Sequence, residues 1–220
     1  MTPTFHPLGD RALLAYLPDE AATAAFAAAV RAANFPWLVD LVPAYASVGV
    51  FFDGSVTLSN VRAALSQLPS GEHAAKPSAL HRVPCCYDFD LDLPRVSEHT
   101  GMSPEEIICQ HTAGPYTVYA IGFVPGFPYL GYLPEALTGV PRLPSPRLRV
   151  DPGSVGLTAR QTGIYPLPRP GGWNLVGRTP LEIVNLEDGY FPIAVGDQVW
   201  FERIDRAEFR RLEAERLPAL

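Results

Sequence analysis

Between residues 114 and 180 the chain carries eleven of its eighteen glycines and twelve of its twenty-four prolines. Proline is excluded from helix interiors and central strands, and glycine weakens both. This stretch therefore cannot be helical and is confined to short strands joined by many turns. The runs within this stretch are YTVYAIGF (116–123), SVGLTA (154–159) and NLVG (174–177), and LEIVNL (181–186) and QVWFERI (198–204) follow just beyond it. They are short and rich in β-branched and aromatic residues, the pattern of a small β-barrel or sandwich with long loops. The closing RAEFRRLEAERL reads as an exposed charged helix.

The first 80 residues have a different rhythm. DRALLAYL (10–17) is strand-like, and Pro18-Asp19-Glu20 is a helix start. The Ala-rich run 20–33 follows, with Phe26 and Val30 four apart on one face, and Asn34-Phe35-Pro36 ends it. Strands are expected at 38–45 and 47–53, a second amphipathic helix at 58–68 and a strand at 80–86. The order strand-helix-strand-strand-helix-strand fits a ferredoxin-like split βαβ unit. The polar, Pro- and Gly-containing stretch 69–77 is the natural linker. The expected organisation is thus α+β, with a small α/β domain over 1–80 and a β-barrel domain over 81–220. The latter opens with a weak helix at 92–99 and a second one announced by Ser103-Pro104-Glu105-Glu106, which carries Ile107, Ile108 and Cys109 and ends near His111. At 220 residues and 47% hydrophobic content, two such units can each bury a core.

Composition removes several functions. A net charge of −6 disfavours nucleic-acid binding. No apolar run reaches the roughly 18 residues needed to span a bilayer, and MTPTFHPLGD lacks the basic start and apolar stretch of a secretion signal. Adjacent Cys85 and Cys86 with a distant Cys109 make a poor disulfide framework, so reduced thiols, dispensable for chemistry, and a cytoplasmic location are expected. Sixteen Arg accompany a single lysine, Lys76. No Walker A loop is therefore present, and Schiff-base chemistry would rest on a residue in a polar linker. His6, His73, His81 and His99 are scattered, and no metal site is expected.

The chemistry concentrates in residues 111–180. Arg142, Arg147, Arg149, Arg160, Arg169 and Arg178 share the window 136–181 with one acid, Asp151, a local charge near +5 on an acidic chain. Arginine forks and glycine-rich backbone both suit carboxylate or phosphate. The plainer reading pairs some of these arginines with acids elsewhere, and three or four of the six are expected to serve a ligand or an interface. Three segments stand out: GFVPGFPYLGYL (122–133), PGSVGLTARQTGIYP (152–166) and PGGWNLVGRTP (170–180).

These strings, with G-D-R-A-L-L near the start and P-R-L-P-S-P-R at 141–147, closely resemble the PxpB family. It includes Kip-type inhibitors of a sporulation kinase and proteins termed allophanate hydrolase subunit 1, and a related module belongs to the carboxyltransferase part of urea carboxylase. The resemblance covers nearly the whole chain. It departs at Val150-Asp151-Pro152, where relatives have V-P-A before Gly-Ser-Val. The resemblance implies a small α/β domain followed by a cyclophilin-like β-barrel. It implies a component of an ATP-dependent 5-oxoprolinase that hydrolyses 5-oxo-L-proline to L-glutamate with PxpC-type and PxpA-type partners and is inactive alone. ATP with Mg2+ is the implied cofactor, held at an interface with a partner. An allophanate- or urea-carboxylase-type component receiving biotin from a partner is the alternative enzyme reading. A binding protein that docks a histidine kinase is the non-enzymatic one.

By the same resemblance, His111, Gln161 and Arg147 are the expected catalytic residues. Phe123, Pro125, Gly126, Phe127, Tyr129, Arg142, Ser154, Gly172, Trp173 and Arg178 are expected to bind substrate or phosphate. His111 has a second reading, as the cap of a helix C-terminus beside Thr112. Prolines stiffen the loops that carry Arg142, Arg147 and Arg178, and these three are expected to converge on one anionic cleft with Gln161 and His111 at its rim.

Overall fold

The computed structural model describes residues 3–68, 78–89 and 91–219. The expected linker 69–77, with His73 and Lys76, lies outside the described residues. The chain divides into two units, Met1–Ser78 and Ala79–Leu220.

In the first unit the strands β1 (Thr4–Pro7) and β2 (Ala12–Tyr16) precede helix α1 (Glu20–Ala33). Asp19 caps α1 by accepting from the Ala22 N–H at 2.7 Å, and Asn34 ends it in the left-handed conformation at φ 46°. The strands β3 (Leu38–Ala44) and β4 (Ser47–Phe52) form a hairpin, followed by α2 (Leu58–Ser66). Phe26, Ala27 and Val30 of α1 and Val61 and Leu65 of α2 are buried with Leu13, Val48, Val50 and Phe52 of the sheet. Each large apolar side chain so placed contributes about 1.5–3 kcal/mol. The sheet order is β1-β2-β4-β3, antiparallel throughout.

This is the ferredoxin-like order with one substitution. The edge beside β2, expected for residues 80–86, is occupied instead by β1 from the start of the chain. Leu80–Cys86 is β5 and belongs to the second unit, where it runs parallel to β13 (Gln198–Ile204) over seven residue pairs, from Leu80 beside Gln198 to Cys86 beside Ile204.

The second unit continues with α3 (Leu93–Thr100), α4 (Pro104–His111), β6 (Tyr116–Ile121) and β7 (Pro128–Gly131). Strands β8 (Arg147–Val150), β9 (Ser154–Thr158), β10 (Gln161–Ile164), β11 (Arg169–Gly171) and β12 (Asn174–Arg178) follow, then β13 and α5 (Arg206–Arg211). Seven strands close a barrel in the order β10-β7-β6-β13-β5-β12-β9, while β8 and β11 form a separate two-stranded ribbon. The architecture is α+β, as expected. Ser103 and Glu106 form the capping box that starts α4. Val83, Val118, Leu130, Leu157, Ile164, Val176, Val199 and Phe201 fill the barrel.

Two local expectations are corrected. LEIVNL is not a strand, and among the described residues the bridges in this run are the isolated Glu182–Arg216 and Asn185–Tyr190. The C-terminal helix is confined to six residues. Beyond it Leu217 is buried and its N–H bonds to the Glu182 carbonyl, so the chain turns back onto the barrel instead of remaining a solvated helix. Among the described residues no helix is long and apolar enough to cross a membrane.

Candidate functional site

The segment GFVPGFPYLG joins β6 to β7 through two consecutive tight turns. Phe123 sits at φ 66°, and the Val124 N–H bonds back to the Gly122 carbonyl at 2.7 Å, so Phe123 is the centre of the rare γ-turn with positive φ. Val124-Pro125-Gly126-Phe127 is then closed by Phe127 N–H to the Val124 carbonyl at 3.1 Å. Proline second and glycine third, with Gly126 at φ 74°, is the signature of a type II turn. A Cβ on Gly126 would lie 2.2 Å from Val184 Cγ2, so nothing larger fits. Pro125 and Gly126 shape this loop and are not among the residues that line the cleft beside it.

The loop aims Phe127 into an aromatic cluster. Its ring is edge-on to Tyr129, Tyr165 and Trp173 at centroid distances of 5.0, 5.2 and 5.4 Å. Phe123 closes on the same rings from outside, edge-on to Phe127 at 5.6 Å and to Tyr165 at 6.3 Å, yet it remains 59% exposed. Over this cluster lies a cleft of about 340 Å³, lined by Phe123, Phe127, Tyr129, Tyr165 and Trp173, the Pro170-Gly171-Gly172 turn, Pro146 and Arg142. A Cβ on Gly171 would stand 2.5 Å from the Tyr165 hydroxyl oxygen, so glycine here lets the turn pack on the ring.

Arg142 is the one charged residue of that lining. Its backbone is pinned from both sides. Asn174 Nδ2 donates to the Pro141 carbonyl at 2.9 Å and to the Leu157 carbonyl at 3.2 Å, and the Leu143 N–H bonds to the Gly172 carbonyl at 2.7 Å. Arg95 Nε donates to Asn174 Oδ1 at 2.9 Å, which fixes the orientation of that fully buried amide. The Arg142 side chain makes no salt bridge among the described residues, in contrast to its neighbours Arg147 and Arg149. Its charge acts on Tyr129 and Tyr165: burial raises both phenol pKa values and Arg142 opposes the rise. Both phenols therefore stay protonated at neutral pH and can donate.

The other expected arginines are used elsewhere. Arg147 Nη2 bonds to both carboxylate oxygens of Asp92, at 2.7 and 2.8 Å, and its Nη1 is buried with no partner among the described residues. Asp92 also accepts the Leu175 N–H at 2.7 Å, which is why it leaves the start of α3 without a side-chain cap. Arg149 pairs with Asp151, Arg160 lies over the Tyr132 ring at 4.3 Å, and Arg169 is exposed. Arg178 Nε donates to the Pro152 carbonyl, and its guanidinium stands 6.0 Å from the Phe209 ring centre. Convergence of Arg142, Arg147 and Arg178 is thus corrected: only Arg142 lines the cleft. Ser154 is buried at the start of β9, and Gln161 is half-buried at the start of β10, paired across the strands with Gly131 and Thr158.

His111 is not at the rim either. It is completely buried in the barrel, stacked on Phe201 at 4.7 Å. Its Nδ1 is 2.7 Å from the Tyr87 hydroxyl and its Nε2 2.9 Å from Thr162 Oγ1. The Thr162 hydroxyl donates its single proton to the Gly156 carbonyl at 3.0 Å, so it can only accept from His111. His111 is therefore the neutral Nε2–H tautomer, and Tyr87 donates to Nδ1. Burial, which penalises the imidazolium, agrees by lowering the His111 pKa from 6.5 to about 3. A neutral histidine with both nitrogens engaged and no solvent contact is a strut between α4, β10 and the residue that follows β5.

Six of the ten expected binding residues meet in one place: Phe123, Phe127, Tyr129, Arg142, Gly172 and Trp173. Sequence reasoning missed Tyr165, Pro146, Pro170 and Gly171. Tyr165 stands inside the R-Q-T-G-I-Y-P string, and its signal was an aromatic next to a turn in a motif already singled out. The donor set does not fit a nucleoside triphosphate with its metal. One guanidinium faces a phosphate chain that keeps about two negative charges even with Mg2+ bound, and no carboxylate in the lining can hold that ion. Among the described residues no group of three or more His, Cys, Asp or Glu is arranged for a metal ion.

The profile of the carboxyltransferase domain, subdomain C and D, matches residues 3–190. The B component of 5-oxoprolinase from Bacillus subtilis (strain 168) is 33% identical over 230 residues, 94% of this chain and 95% of its own length. The chain belongs to the family of 5-oxoprolinase B components. A family member from Escherichia coli O157:H7, which bears the same name, is 35% identical over 178 residues, 79% of this chain and 81% of the relative. Among solved structures, the crystal structure of TTHA0988 superposes with a TM-score of 0.77 at 34% identity, over 90% of this chain. The chain spans 40% of the length of TTHA0988. Urea carboxylase of Kluyveromyces lactis shares the fold, with a TM-score of 0.72 at 18% identity over 96% of this chain and 22% of the enzyme.

Proposed function

We propose that this chain is the B component of an ATP-dependent 5-oxoprolinase, which opens the lactam of 5-oxo-L-proline to give L-glutamate. The observation that carries this reading is the near end-to-end similarity to a relative bearing that name, 94% of one chain against 95% of the other. The cleft supports it, since aromatic walls with a single arginine suit a small ring compound bearing one carboxylate.

In this reading the chain binds and orients, and other subunits complete the chemistry. Hydrolysis of the lactam is unfavourable without coupling to ATP, and phosphorylation of the amide oxygen is the expected route. The triphosphate and its metal are held by partners of the PxpC and PxpA types, because the cleft's one cation is too little for them. His111, sealed and neutral, takes no proton from substrate in this scheme. The group that positions the attacking water then also comes from a partner. The test is glutamate release from 5-oxo-L-proline and MgATP by the co-purified three-component complex and by this chain alone. Turnover is expected only from the complex. Robust turnover by the isolated chain, or none from the complex, would overturn the proposal.

A further inference from the structure

We infer that the aromatic cleft is a monocarboxylate site: Arg142 takes the carboxylate of a small flat ring compound, the aromatic walls take the ring, and nucleoside triphosphates are excluded. The inference rests on the proposed function only for the choice of 5-oxo-L-proline as probe.

Charge is the first argument. The lining contains one cation and no carboxylate, so its formal charge is +1. Arg147, the other guanidinium that acts on Tyr165, is already paired with Asp92 at 2.7 Å. A singly charged anion balances this site. MgATP still carries about two negative charges along its phosphate chain, and against apolar walls the lining offers it neither a second cation nor a carboxylate for its metal.

Shape is the second. Phe127, Tyr129, Tyr165 and Trp173 meet edge to face, which fixes the ring planes and leaves apolar faces and edges towards the cleft. A volume of about 340 Å³ is at the small end of ligand clefts and ample for one ring and its substituents.

Preorganisation is the third. Arg142 lies between two backbone anchors, Asn174 holding the Pro141 carbonyl and Gly172 holding the Leu143 N–H. Pro141 precedes it and Pro144 and Pro146 follow, so little backbone freedom remains to be lost on binding. The free guanidinium is thus the only mobile part of the charged side of the site. Tyr129 lines the same cleft with a phenol that burial keeps protonated. Because Arg142 is solvent-exposed, the pair is screened and affinity for a free ligand is modest, about millimolar.

The experiment is isothermal titration of the full chain with 5-oxo-L-proline, with 2-pyrrolidinone (the same lactam without its carboxylate) and with MgATP. It is repeated on Arg142→Gln, whose fold is checked by thermal melting. Saturable binding of 5-oxo-L-proline is expected, at least about tenfold weaker for 2-pyrrolidinone and for the variant. MgATP should neither bind the cleft nor displace the lactam. The inference is overturned by no saturable binding up to about 50 mM, by equal binding of 2-pyrrolidinone, by an unchanged Arg142→Gln, or by displacement with MgATP. An active complex whose isolated B component fails these titrations sinks the inference and leaves the proposed function standing. An inert complex with a binding B component does the reverse.

Discussion

Lowering the pH from 7.5 to 4.5 should destabilise the barrel through His111 by an amount that can be isolated. The unfolded chain protonates this histidine near 6.5, whereas the folded barrel resists until about 3. Stability from the neutral buried ring is therefore complete above pH 6.5 and is lost progressively as pH falls towards 3. At pH 4.5 the unfolded state has gained roughly two pH units of proton binding that the folded state has not, worth about 2–3 kcal/mol at about 1.4 kcal/mol per unit. Carboxylates also titrate in this range, so the measurement is a difference of differences. Urea denaturation would be followed by tryptophan fluorescence at both pH values for the parent and for His111→Gln. Both would carry Trp37→Phe, so that the signal comes from Trp173 and Trp200 of the barrel. The parent should lose about 2–3 kcal/mol more than the variant between the two pH values. Parallel losses, within about 0.5 kcal/mol, would mean that His111 is already protonated or solvated in the fold, and the strut assignment would fail.

Two further outcomes are expected. Asn174→Ala removes a fully buried amide with its two donated bonds to backbone carbonyls, one buried and one part-buried, and its part-buried acceptor for Arg95; it should cost about 2–4 kcal/mol in urea denaturation, and a cost below about 1 kcal/mol would show that the Arg142 loop is held by something else. Cys85 and Cys86 are buried and Cys109 is exposed, so a thiol reagent should modify one cysteine in the native protein and all three after unfolding; fast modification of two or more in the native state would contradict the packing.

Local chemistry was readable from the chain and remote partnership was not. Pro18-Asp19-Glu20 and Ser103-Pro104-Glu105-Glu106 announce helix starts because a cap involves only three or four neighbouring residues. The aromatic and glycine-rich strings did lead to one cleft, since residues close in sequence build most of its walls. The arginines were misassigned because what each one does depends on an acceptor far along the chain, as with Asp92, 55 residues before Arg147. His111 was placed at a rim because its burial depends on Tyr87 and Thr162, which only barrel closure brings to it. Thr-Phe-His-Pro, which forms β1, is too short and mixed to read as a strand, with Phe5 alone buried. Its role comes from the edge that β2 leaves open, which is a property of the sheet and not of those four residues.

The parallel pairing of β5 with β13 has a consequence for synthesis on the ribosome. Leu80 must wait for Gln198, 118 residues later, before the main partner of its strand exists. At about 5–20 residues per second, the apolar β5 edge is left open for roughly 6–24 s. The first unit faces no such delay, because its four strands are complete by Phe52 and its second helix by Ser66. The nascent chain therefore carries a finished small domain followed by a barrel that cannot close from either end. Until the last strand emerges, those seven residues are the segment with the most need of a chaperone and the greatest tendency to pair with the wrong strand.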